Sequence, residues 1–105
     1  MSVSAGQSVP EEVIHALGYQ NTDDFLRIQA RQALEQKISY YQSRVDFYEQ
    51  KYGMGLDEFH QRAINSSDPE LSKFSVVEKE NDDFAWDDAL DFVRIYADNL
   101  RRVRP

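Results

Sequence analysis

From Thr22 to Tyr52 the chain has neither glycine nor proline. Within this run Leu34, Ile38, Tyr41, Val45, Tyr48 and Tyr52 recur at steps of 4, 3, 4, 3 and 4. Apolar side chains at alternating steps of three and four fall on one stripe of an α-helix, as in a coiled-coil seam. Asn21-Thr22-Asp23-Asp24 offers a capping side chain followed by acids suited to the positive end of the helix dipole. Gly53, just after Lys51-Tyr52, is suited to the left-handed residue that closes a helix. The pattern predicts one helix from about Thr22 to Tyr52, roughly 45 Å long at about 1.5 Å per residue. A compact chain of about a hundred residues has a radius of gyration of only about 13 Å. Such a helix must project from its own domain or pair with another chain.

A second stripe runs beside the first: Leu26, Ala30, Ala33, Tyr40 and Phe47, interrupted by Lys37 and Arg44. Two stripes suggest two partners, a helix of the same chain and a second subunit. The spacing predicts a final helix from about Asn81 to Arg102, apolar at Phe84, Ala85, Trp86, Ala89, Leu90, Phe92, Val93, Tyr96, Ala97 and Leu100. Shorter helices are expected from Ser8-Val9-Pro10-Glu11, which reads as a capping box, to Gly18, and from Leu56 to about Ile64. Asp68-Pro69-Glu70 can cap one more helical turn. Phe74-Ser75-Val76 alternates like a strand but is too short to build a sheet. The expected architecture is all-α. A long-helix antiparallel hairpin or small helical bundle carries a coiled-coil-like seam, with residues 1–8 as a disordered tail and residues 9–105 as one helical domain. Leu34, Ile38, Tyr41 and Val45 are the expected homodimer seam.

Charge refines the picture. The net charge is −7. Residues 22–55 are neutral, residues 56–91 carry −8 and residues 92–105 carry +3. An acidic middle repels phosphate backbones, so nucleic-acid binding is not expected despite Arg101, Arg102 and Arg104. A basic protein is the better electrostatic match. No cysteine is present, which excludes disulfides and thiol chemistry. No apolar run is long enough to cross a membrane. The opening residues lack the basic and apolar regions of a signal peptide, so a cytoplasmic location is expected.

Catalytic motifs are lacking: there is no Walker loop, dinucleotide fingerprint or nucleophile elbow. His15 and His60 lie on different expected helices and read as surface polar residues. Asp83, Asp87 and Asp91 lie on one helix face at i, i+4 and i+8, where like charges repel unless something compensates. A cation could do so, but neither the EF-hand spacing nor the Glu-x-x-His pairs of di-iron bundles occur. No enzyme activity and no cofactor are expected, and a metal-binding protein using the aspartates is a remaining alternative.

The run Gln36–Glu58, with Lys51-Tyr52-Gly53-Met54 and Asp57-Glu58-Phe59, precedes an acidic helix containing Trp86. Over about residues 22–102 this order resembles small prokaryotic antitoxin-like helical proteins of toxin–antitoxin gene pairs. The resemblance implies a non-catalytic protein that neutralises a basic toxin. Tyr48, Tyr52, Phe59 and Trp86 would then be apolar anchors, and Asp83, Asp87, Asp88 and Asp91 would pair with the partner's bases. The stretch before Thr22 falls outside that pattern, and no DNA-binding element is evident. The alternative is a homo-oligomeric structural or adaptor protein.

Overall fold

The computed structural model describes residues 9–65 and 67–105. The expected tail over residues 1–8, with Ser8 as a cap, lies outside the described residues. Four α-helices follow in order: α1 (Glu11–Ala16), α2 (Thr22–Tyr52), α3 (Leu56–Ala63) and α4 (Val76–Arg101), with a 3-10 turn at Leu71–Lys73 before α4. The described residues contain no strand. The protein is an all-α antiparallel hairpin of α2 and α4.

Local chemistry sets the helix ends. The Asn21 side chain accepts from the Asp24 N–H at 2.8 Å and starts α2. Gly53 ends it at φ 71°, ψ 24°, a left-handed conformation that costs glycine little because it has no Cβ. α4 begins at Val76, not near Asn81, because the Ser75 hydroxyl accepts from the Glu78 N–H at 3.0 Å. Phe74-Ser75-Val76 is therefore a helix entry and not a strand fragment.

Contacts at both ends fix the antiparallel pairing. The Tyr52 hydroxyl meets Asp82 at 2.6 Å at the closed end. Arg31 donates to the Val103 carbonyl at 2.6 Å at the open end. The molecule measures 66 × 27 × 20 Å with a radius of gyration of 21.1 Å, far above the ~13 Å of a compact chain this long.

The core sits at the closed end. Val45, Tyr48, Tyr52, Met54, Leu56, Phe59, Leu71, Trp86 and Ala89 form one buried cluster. Trp86 is its centre, 0% exposed, with the rings of Tyr48, Tyr52 and Phe59 at 5.9, 5.9 and 5.4 Å. A second, small anchor lies at the far end, where Ile14 of α1 is fully buried and α1 packs on α2.

The 3-4 stripe of α2 is occupied within the chain. Val45 belongs to the core cluster, with Tyr41 packed against it. Tyr41 also stacks on Phe92 of α4 at 4.7 Å. Leu34 and Ile38 are half-buried, and they lie between Arg31 and Tyr41, both of which reach α4. Tyr41 and Val45, two of the residues expected to join two copies, therefore join α2 to α4.

Candidate protein interface

The four expected aromatic anchors belong to the interior. Tyr48, Tyr52, Phe59 and Trp86 are 4%, 5%, 1% and 0% exposed. This corrects the expectation of a docking surface, because rings so enclosed could reach a partner only if the closed end opened. Their polar atoms are largely met inside the chain. Tyr52 donates to Asp82, and the Tyr48 hydroxyl accepts from Arg44 at 3.0 Å. The Trp86 indole N–H is buried without a hydrogen-bond partner, an energetic debit the surrounding rings must outweigh.

A charged lock closes the hairpin beside this core. Lys51 Nζ lies 2.6 Å from carboxylate oxygens of both Asp82 and Glu78. Hydrogen bonds to those two carboxylates raise the lysine pKa. Burial pushes the Tyr52 hydroxyl well above its ordinary value, and Asp82 adds to the effect. From the last turn of α3, Arg62 Nε reaches Asp68 of the following loop at 2.8 Å. That bond holds the Asp68 carboxyl down at about 2 and raises the guanidinium. Asp68 also accepts from the Glu70 and Leu71 N–H groups, as a cap for the 3-10 turn. These perturbed groups all have structural partners.

The aspartates expected to act together are divided. Asp83 pairs with His60 of α3 at 2.6 Å, and Asp91 pairs with Arg94 at 3.0 Å. His60 thus has a carboxylate partner that sequence spacing did not reveal, since the two lie on different helices. Among the described residues, the ion pairs of α4 use Glu78, Asp82, Asp83, Asp91 and Asp98, which leaves Glu80, Asp87 and Asp88 exposed and without a cation. Among the described residues, no three His, Asp or Glu side chains gather closely enough to hold a metal ion.

Two surfaces remain. The first is the outer face of α4. Phe84 is 74% exposed, and Glu80, Asp87, Asp88 and Asp91 surround it at helical spacings of four, three, four and seven residues. The second is one flank of α2, where Leu26, Ala30, Ala33, Lys37, Tyr40, Arg44 and Phe47 are all exposed. Its rings continue onto α4: Tyr40 meets Tyr41 at 4.9 Å, and Tyr41 stacks on Phe92 and Tyr96 at 4.7 and 6.0 Å. The other edge of α4 faces α3 across an open groove of about 320 Å³ lined by Phe59, Ala63, Val76, Lys79, Glu80 and Asp83. No described helix is long and apolar enough to cross a membrane. Comparison of the chain with known protein families, curated proteins and solved structures gives no match.

Proposed function

We propose that this chain is a non-catalytic protein-binding protein whose outer α4 face takes a basic protein partner. The observation that carries the reading is Phe84, a bare aromatic ring in an acidic frame. A phenylalanine at 74% exposure on a well-formed helix contributes nothing to its own core. A large ring rimmed by charge is the common composition of an interface hot spot. Glu80 and Asp87 would steer a cationic partner and fix its register. The resemblance to antitoxin-like proteins gives the reading its most concrete form, the neutralisation of a basic toxin.

The test is a pull-down from native cells with identification of the retained proteins, using the wild type and a Phe84→Ser/Asp87→Lys variant. Both positions are exposed, so the variant should fold. The expected result is a stoichiometric basic protein on the wild type, at least about tenfold depleted on the variant and released by salt. Recovery of the wild type alone, or equal recovery on both, sinks the idea.

A further inference from the structure

We infer that a second copy of this chain covers the bare flank of α2, with α2 of each copy lying along α4 of the other to form a four-helix bundle. Leu26, Ala33, Tyr40 and Phe47 occur every seventh residue on that flank, the repeat of a helix-packing stripe. Leu26, Tyr40 and Phe47 are 59%, 59% and 52% exposed. From Gln32 onward the opposite flank of α2 is polar, with Gln32, Glu35, Ser39, Gln42, Asp46 and Glu49; Phe25 and Ile28, which precede it there, are half-buried.

The same side of the hairpin includes part of α4. The ring contacts from Tyr40 through Tyr41 to Phe92 place Phe92 there. Ala85, Asp88 and Ile95 share its helix edge, at steps of three and four. α3 covers the other edge of α4, where His60 meets Asp83. This side is left open.

Charge complementarity identifies the occupant. Among the described residues Arg44 on this flank of α2 enters no ion pair, and neither does Asp88 on this edge of α4. The hairpin supplies the register. Tyr48 lies level with Trp86, and Tyr41 with Phe92. A two-fold axis along the hairpin preserves these heights while placing α2 of one copy over α4 of the other, antiparallel. Arg44 then meets the partner copy at the level of Asp88, Tyr40 at Phe92 and Ile95, and Phe47 at Ala85. The two-fold doubles each contact, as isologous interfaces require. The outer face around Phe84 and Asp87 remains outside the bundle.

Light scattering at about 100 µM chain, well above a micromolar Kd, tests the association. The wild type should weigh about twice the 12.3 kDa chain. Tyr40→Glu, at a position exposed in one chain, should give a monomer with helical circular dichroism retained. A monomeric wild type, or a Tyr40→Glu variant that is still dimeric, overturns the inference. If Tyr40→Glu unfolds, the register decides. The chain has no native cysteine, so Arg44→Cys chains can be mixed with Asp88→Cys chains under a mild oxidant. The mixed disulfide should exceed both self-pairs severalfold. No excess of the mixed species overturns the α2-on-α4 arrangement.

Discussion

At the closed end of the hairpin, Tyr48, Tyr52, Phe59 and Trp86 enclose one another behind Lys51, Asp82 and Glu78. At the open end, α2 contributes no buried residue before Val45, and α4 none after Ala89. Contacts there are half-buried side chains, the single anchor Ile14 and arginines reaching carbonyls of the opposite helix. The strongly perturbed ionisable groups cluster at one end. Lys51, Tyr52, Arg62 and Asp68 all lie at the closed end, whereas the Asp98–Arg101 and Asp23–Arg104 pairs at the open end are exposed. Exposed pairs contribute little. One end has a core of its own; the other holds its helices together through half-buried side chains.

The largest expected effect is at Trp86. Trp86→Ala removes the side chain at the centre of the buried cluster and should cost about 3–5 kcal/mol. Small domains have only about 5–15 kcal/mol in total, so cooperative thermal unfolding should be lost or greatly lowered. Ile14→Ala should cost about 2–5 kcal/mol locally, yet release only α1. Near-ultraviolet circular dichroism of the tryptophan environment separates the two: it should collapse in the first variant and persist in the second. Equal loss in both would mean that the ends are one cooperative unit.

The closed end also shows what could be read from sequence. Both ends of α2 were legible, because Asn21 and Gly53 act on groups within four residues. The start of α4 was legible in principle: Ser75-Val76-Val77-Glu78 has capping-box spacing. The alternation of Phe74, Ser75 and Val76 masked it. The fate of the tyrosines was not legible. A buried tyrosine needs a partner for its hydroxyl, and Asp82, thirty residues from Tyr52 in sequence, supplies one. The main seam was found, but an amphipathic stripe does not say whose helix covers it. The pairing of His60 with Asp83 depends on the placement of α3, which no spacing encodes.

Tyr52→Phe sharpens the account of the charged lock. It keeps the ring beside Trp86 and removes the O–H donated to Asp82, which still holds Lys51. A loss of about 1 kcal/mol is expected from denaturant unfolding. A neutral result would assign the closed end to ring packing alone. Acid gives an independent probe. Asp68 ordinarily titrates at 3.8 and here at about 2, chiefly through its bond to Arg62. A depressed carboxyl pKa adds stability that is present above the ordinary value and lost as the pH falls through the folded one. Between pH 4 and about 2, then, the wild type should lose melting temperature more steeply than Asp68→Asn. Parallel curves would deny the pair its role in holding the loop that carries Leu71.

The smallest effect should come from Arg31→Ala at the open end. Arg31 donates to the carbonyls of Val103 at 2.6 Å and Leu100 at 3.5 Å. The last carbonyls of a helix lack intrahelical partners, so the arginine ties the end of α4 to α2. Water can replace it at this half-exposed site, and the net cost should be about 1 kcal/mol or less. The readout is amide exchange resolved by residue. Protection should fall over the last turn of α4 and stay unchanged around Trp86 and Ala89, because sub-global opening draws on local contacts. If protection at Trp86 fell by the same factor, the open end would be reporting global unfolding. The difference between the two ends would then be one of exposure and not of stability.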